Sequence, residues 1–429
     1  MKAVIIGASS EALHTIEKAQ EAGIFVIALD GNLEAEGLNA ADRGLVVDIS
    51  DENAVIEAVR AQKPDFTLTV PIGRYLTATG AVNDALKLPG ISRQMAVLCT
   101  DKYSFHRKLQ EQKLRNSHCY AIGGKDGTEP EELRKELADG RSQLAYPAIL
   151  KPRFGSGSRG IQMIENRAEL DSVLQRMQRK PVGQLCASAV PGVHAQQTAG
   201  TWEKDFREEE CEACVLEECV PGEEYGVDGA VIEGQFYMVL LRKKENTPPP
   251  ARQAVGYVSV LPQDTFRQQA ESYMERVVRC LGLGECLLHA DLIRSESGPF
   301  VIELSARPSG HNLHNLFTPL CTGIDMAEEY IRYRMGQSWN FTPETTRPSM
   351  IHYFDMQGKV VSVPDEKQVR QAVPSLIRWE CHIRVGDELM PVSDGHSLMG
   401  RGYFILEGEE QELRKDVKRV KELFQIVAE

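Results

Sequence analysis

LLHADLIRSESGPFVIELSARPSGH, residues 287–311, reads as two strands joined by a turn. LLHADLI is an apolar run broken by one acid, Asp291, and PFVIEL is a second broken by Glu303. SESG between them is turn chemistry. The two acids are 12 positions apart (303 minus 291), so strands paired across the turn bring them together on one face. An acid in the middle of an apolar strand is costly unless it is paired or holds a cation. Two such acids facing each other repel. A divalent cation relieves both problems, and magnesium takes one or two carboxylates together with substrate phosphates. Just beyond the second acid, ELSARPSGH and the residues after it add Ser305, Arg307, His311, Asn312 and His314. The competing reading pairs the acids in ordinary salt bridges with Arg294 and Arg307. The stretch by itself leaves both open.

Length and composition narrow the class. A chain of 429 residues holds two to four compact units. Hydrophobic content of 42% and charged content of 26% are those of a soluble globular protein, and no apolar run approaches the length of a membrane span. MKAVIIGASSEA at the N-terminus reads as a first strand and not as a signal peptide, because a helix pattern follows with no small-residue cleavage site. A net charge of −13 argues against a nucleic-acid or anionic-membrane partner, so a polyphosphate ligand has to be held by a local cationic cluster. Ten scattered cysteines without an export signal read as reduced thiols in a cytoplasm. Cys211 and Cys214 form a C-x-x-C, but neither a second pair nor a nearby histidine completes a zinc set.

Residues 1–99 alternate strand and helix patterns: strands at 2–8, 24–30, 45–49 and 65–70, helices at 10–23, 52–62 and 75–86. Strict alternation predicts a parallel sheet with helices on both faces, a Rossmann-like unit. GASSEA lacks the full dinucleotide fingerprint, which favours a structural role over a dinucleotide site. At 99–114, Asp101 is placed as a helix N-cap with Lys102 in the first turn. The helix dipole disfavours a lysine there, and a phosphate nearby would remove the conflict. YPAILKPRFGSGSRGIQMI (146–164) predicts a hairpin, with Lys151 closing its first strand and a loop rich in glycine and serine that includes Gly155, Ser156, Gly157 and Ser158. Consecutive N–H groups in such a loop can cradle phosphate. Residues 179–213 are long for a connection and read as a mobile insertion or a lid. Strands resume at 214–245. Helices are expected at 264–283 and 323–336, a strand-rich tail from 347, and a final amphipathic helix over roughly 410–428.

Taken in order, the set is a Rossmann-like unit, a lysine at a helix start, a strand lysine, a glycine loop, an acidic strand with a turn (LEECVPGEEY), and the paired carboxylates. It resembles the ATP-grasp superfamily over nearly the whole chain. The resemblance is nearest to the biotin-carboxylase-like ligases, including amino-acid ligases that make dipeptides, and IELSARPSGHNLHNLFTPLCTGID is its most specific part. It implies an α/β fold with an N-terminal domain at 1–99, an ATP-grasp domain at 100–340 whose lid subdomain spans about 115–215, and a small β-rich C-terminal domain at 341–429 ending in a helix. It also implies ATP with Mg2+, or Mn2+ in its place. Lys102 and Lys151 would contact phosphates, with Lys151 also near the adenine, and the loop 154–160 would close over the β- and γ-phosphates. Glu217, the Glu218 carbonyl and the Val220 N–H would read the adenine, and Glu224 would hold the ribose. Asp291 and Glu303 match the metal ligands, while Ser305 stands where the family usually has asparagine. Arg307 matches an arginine used on the transferred phosphate. Arg242, Lys243, Arg252, His289, His311 and His314 are candidates to bind a carboxylate substrate, with Arg242 and His311 preferred because the motif sets them beside the active site.

The function so implied is an ATP-dependent carboxylate–amine ligase working through an acyl-phosphate, with small carboxylates and amines as partners, as a cytoplasmic homodimer. The alternatives are an ATP-dependent carboxylase or purine-pathway ligase of the same fold, and a nucleotide-binding module without ligase chemistry.

Overall fold

The N-terminal alternation folds as its pattern requires. Strands β1 (Lys2–Ile6), β2 (Phe25–Asp30), β3 (Arg43–Val46) and β4 (Phe66–Leu68) form a parallel sheet in the order β3-β2-β1-β4. Right-handed helical crossovers are the usual way to join such strands. The structure, a computed structural model, describes residues 1–124, 126–155, 160–177, 213–248, 252–392 and 395–427. The expected Ser156, Gly157 and Ser158 contacts, and nearly all of the 179–213 insertion, lie outside the described residues. After β1 the loop is held by Asp30, whose carboxylate accepts from Ala8 N at 2.7 Å and Asn32 N at 2.9 Å. The acid that ends the second strand is therefore committed to its own backbone, in keeping with a structural Rossmann-like unit.

The chain divides into two compact units, one of residues 100–222 with 248–252, the other of 1–99, 223–247 and 253–429. In the smaller unit, β5 (Cys119–Ile122), β6 (Ala148–Pro152), β7 (Gln162–Ile164) and β8 (Cys214–Glu218) form an antiparallel sheet ordered β5-β8-β6-β7. The β6–β7 hairpin predicted around the glycine loop is present, with Ala148 opposite Ile164. Leu150, Ile164, Leu170, Leu174 and Leu216 form its core. The preceding helix, Lys102–Glu111, starts at Asp101, whose carboxylate accepts from Tyr103 N and Ser104 N. This is the cap read from the sequence.

The larger unit contains an eight-stranded antiparallel sheet. Its strands are β9 (Glu223–Ile232), β10 (Gln235–Asn246), β11 (Ala254–Ser259), β12 (Cys286–Ser295), β13 (Gly298–Ser305), β14 (Ser349–Tyr353), β16 (Leu376–Cys381) and β18 (Gly402–Glu407), in the order β13-β12-β9-β10-β11-β14-β18-β16; β15 (Gly358–Ser362), β17 (Glu388–Leu389) and β19 (Gln425–Val427) make a separate three-stranded sheet. The first unit breaks at Cys99, but residues 1–99 belong to the same unit as the large sheet. The boundary expected after 340 falls inside this continuous sheet, because β11 hydrogen-bonds to β14. Residues 1–99 also share an apolar core with it: Ile16, Val26 and Phe66 cluster with Val239, Leu287 and Tyr330. The last helix ends at Glu422, earlier than expected, and Gln425–Val427 pairs with β15 instead. Gln425, Ile426 and Val427 follow a strand period, and an open sheet edge takes them.

Candidate active site

The opening stretch forms the hairpin its sequence predicts. β12 and β13 pair with Asp291 opposite Glu303 and His289 opposite Ser305, and the register shifts after Asp291. Alternation then sets Asp291, His289, Glu303 and Ser305 on one face of the two strands. The bridges expected to Arg294 and Arg307 are not what holds Asp291. Its Oδ2 accepts from Lys244 Nζ at 2.5 Å, and Lys244, largely buried, reaches it from β10. Burial acts to raise the Asp291 pKa, but Lys244 outweighs it and holds the carboxyl below its usual range. Its Oδ1 is buried with no hydrogen-bond partner. Glu303 is half-buried, and among the described residues it has neither a hydrogen bond nor an ion pair.

Beneath these acids lies a buried polar layer that the sequence reading did not contain. Arg242 is 0% exposed and grips Asp228 with both Nη atoms, at 2.5 and 3.0 Å; Thr318 Oγ1 donates to the same carboxylate at 2.7 Å. Burial would raise the Asp228 pKa, but Arg242 and His289 drive it far below the carboxylate range. Gly226 eases the arrangement: a Cβ there would lie 3.1 Å from Arg242 Nη2, and the guanidinium would have to give by a few tenths of an ångström. Arg242, proposed as a gripper of substrate carboxylate, thus has its Nη donors committed to an internal acid. The residue that signals this is Asp228, an acid inside the apolar run YGVDGAVI.

Arg307 and His311 sit where β13 runs on towards the Rossmann-like unit. Arg307 Nε donates to Ile72 O and Nη1 to Pro308 O, both at 2.8 Å, and Nη2 has no protein acceptor among the described residues. Burial lowers its pKa, with Glu303 and Glu11 opposing. His311 and Asn312 both have positive φ, +59° and +57°. Non-glycine residues take this conformation only when their surroundings hold it. Here Glu11 Oε1 accepts from His311 N at 2.8 Å, and Tyr353 Oη donates to His311 O at 2.5 Å. His314 is buried, donating Nδ1–H to Ser309 O, and burial lowers its pKa to about 4. Glu224 lies on β9 opposite Ile293.

The smaller unit carries the expected lysines. Lys102 Nζ donates to Gly155 O at 2.7 Å, and Arg153 clamps Asp101 through Nε and Nη2 at 2.7 and 2.6 Å. The helix start and the base of the glycine loop are thereby tied together. The dipole conflict at Lys102 is met by the Asp101 cap and the loop carbonyl. Lys151 pairs with buried Glu217, which also takes Arg115 Nη2 at 2.7 Å and His106 Nδ1 at 3.0 Å. Burial would raise Glu217, yet Lys151, His106 and Arg115 hold it well below its usual range. The Glu218 side chain is engaged by His118 Nδ1 at 2.8 Å and Ala145 N at 2.9 Å, and Val220 follows the strand. His106, Cys119 and Glu217 form a group of metal-ligand type. However, two cations already neutralise the acid, and burial pushes the thiol up to about 12. That chemistry suits an ion-pair cluster and not a cation site.

A family profile described as the ATP-grasp domain matches residues 144–314. Over that stretch the chain matches the ATP-grasp domain. The match runs from β6 and the glycine loop through the carboxylate hairpin to His314. Among characterised proteins, dapdiamide A synthase of Enterobacter agglomerans is 23% identical over 320 residues, covering 72% of this chain and 67% of that one. A formate-dependent phosphoribosylglycinamide formyltransferase of Sulfolobus acidocaldarius is 23% identical over 171 residues, and the match spans only 41% of its length. Among solved structures, an L-amino acid ligase of Bacillus licheniformis superposes with a TM-score of 0.74 at 18% identity, covering 100% of this chain and 98% of that one. The whole chain therefore has the ATP-grasp fold, with a parallel N-terminal sheet and antiparallel sheets elsewhere. No helix among the described residues is long and apolar enough to cross a membrane.

The carboxylate hairpin fits the divalent ion that such domains use. Its donors are hard oxygens; among the described residues one, Asp291 Oδ1, is buried without a partner, and the Glu303 carboxylate is unpaired.

Proposed function

We propose that this chain is an ATP-dependent carboxylate–amine ligase that forms an amide bond and releases ADP and phosphate. The observation that carries the reading is the register pair Asp291–Glu303 with an orphaned buried oxygen at Asp291 and an unpaired carboxylate at Glu303. Nature keeps facing acids of this kind where charge is to be received. The likeness to dapdiamide A synthase and to an L-amino acid ligase supports amino acids or similar small carboxylates as the substrate class.

Asp291, Glu303 and Ser305 would hold Mg2+ or Mn2+, which supplies positive charge to the phosphates of ATP. Lys244 keeps Asp291 ionised and oriented, since its ammonium occupies one carboxylate oxygen and leaves the other free. Arg307 has Nη2 uncommitted and its other donors anchored, so it is fixed in place to stabilise charge on the transferred phosphoryl group. Transfer of the γ-phosphoryl group to a carboxylate makes an acyl-phosphate. An amine then attacks the acyl carbon, and phosphate leaves with the C–O bonding pair. Lys102, Lys151 and Gly155, with Ser156, Gly157 and Ser158, are assigned to the nucleotide phosphates; Glu217, Glu218, Val220 and Glu224 are assigned to the adenosine. His311, whose backbone is locked, is assigned to the acceptor side, while Arg242, held by buried Asp228, is assigned a structural part. The protein is taken to be cytoplasmic and dimeric.

The test is nucleotide turnover across a matrix of paired amino acids and small carboxylates, with ADP separated from AMP. ADP formation that needs one acid–amine pair is the expected result. AMP formation would overturn the acyl-phosphate route, and turnover driven by formate or bicarbonate would assign the chemistry of the formyltransferase relatives.

A further inference from the structure

Strand register sets a third donor beside the carboxylate pair. His289 lies two residues before Asp291 on β12, so both side chains leave the same face. Its Nδ1 is 3.2 Å from Val227 O and 3.5 Å from Asp228 Oδ1, both acceptors. Arg242 Nη2 is also 3.5 Å away, but it donates to Asp228 Oδ1 at the shorter distance of 3.0 Å. Val227 O, the nearest of these, can only accept, so the ring proton is assigned to Nδ1. Nε2 is then a bare lone pair, and it lies 3.5 Å from Asp291 Oδ1, the buried oxygen without a partner. Two acceptors facing each other at that separation repel unless a proton or a metal ion lies between them. A six-coordinate ion with bonds of about 2.1 Å holds neighbouring ligand atoms about 3 Å apart, close to the spacing present. A ring whose far nitrogen is hydrogen-bonded to a backbone carbonyl is also the usual state of a metal-binding histidine.

We infer that His289 Nε2 is a direct ligand of the divalent cation held by Asp291 and Glu303, giving this chain a mixed nitrogen–oxygen metal site. The inference rests on the metal–nucleotide reading of that hairpin. His289 faces Ser305 across the strands, where a hydroxyl is a weak donor, so the imidazole supplies the ligand strength that the serine lacks. Imidazole favours Mn2+ and later first-row ions over Mg2+, so the ratio of Mn2+ to Mg2+ affinity exceeds that of an all-oxygen site.

The probe is Mn2+ with ADP bound to the full chain, read by electron spin-echo envelope modulation. Wild-type protein shows a directly bound 14N, the pattern changes when histidine is labelled with 15N, and His289→Gln loses it while Mn2+ binding weakens about tenfold or more. Bound Mn2+ without a nitrogen coupling overturns the inference. So does a coupling that survives His289→Gln, or an absence of Mn2+ binding. If His289→Gln does not fold, the 15N-histidine comparison on wild-type protein decides alone. The readout needs no turnover, so failure to find a ligase substrate leaves it intact, and the two readings fail separately.

Discussion

Replacing Glu303 by glutamine separates the cost of this carboxylate to the fold from its value to the reaction. Glu303 faces Asp291 in the β12–β13 register and has no hydrogen bond or ion pair among the described residues. The amide keeps the shape and removes one of two like charges. Like charges directly opposite in a sheet destabilise by up to about 1 kcal/mol. Glu303→Gln should therefore leave stability unchanged or raise it by up to that amount, a shift in Tm of about 1 °C for a protein of this size. Turnover should move the other way. Removing a group aimed at charge in the transition state typically costs a factor of about 10² to 10³, so kcat/KM should fall by at least about a hundredfold. The assay is thermal unfolding alongside ADP release at saturating metal. Retention of kcat/KM within tenfold would refute the metal assignment. A drop in Tm of several degrees would refute the claim that the carboxylate is unpaired.

Asp228→Ala leaves Arg242 fully buried without its counter-ion; breaking such a pair costs about 3–5 kcal/mol, to be read by urea unfolding through Trp339 and Trp379, and a loss under about 1 kcal/mol would contradict the pairing. Lys102→Ala removes a half-buried ammonium that donates to one loop carbonyl, Gly155 O, so ATP binding should weaken about tenfold or more with little change in stability; equal affinity by calorimetry would remove Lys102 from the phosphate site. Burial lowers His106, His314 and His352 to about 4 from an ordinary 6.5. The unfolded chain binds these protons first, so stability should fall as pH drops from about 6.5 to about 4, by up to about 3 kcal/mol per group. A Tm that is flat over that range would show that these imidazoles are not held neutral.

The parts of the site that were legible are local. The β12–β13 hairpin follows from two apolar runs and a four-residue turn, and a period of two then fixes which acids share a face. The Asp101 cap follows from a carboxylate before a helical pattern. The Asp228–Arg242 pair could have been suspected from an acid in one apolar strand and an arginine at the end of the next, yet their meeting depends on the bulge in the β9–β10 register and is eased by the missing side chain at Gly226. The Glu217 cluster joins Arg115 to Glu217 across 102 positions, and the run of β14, β18 and β16 onto β11 joins the tail to the central sheet. Neither has a local signature.

By itself, then, the sequence determined the elements that short-range chemistry writes: the alternation of residues 1–99, the glycine-loop hairpin, the helix caps, and two acids face to face. Tertiary structure alone decided which charges cancel. Arg242 is paired with Asp228, Lys244 with Asp291 and Lys151 with Glu217, while Glu303 is left without a partner among the described residues. The reason is physical: hydrogen-bonding period and turn preference act over a few residues, whereas the partner of a buried charge is set by strand order and register, which depend on contacts between segments far apart in the chain.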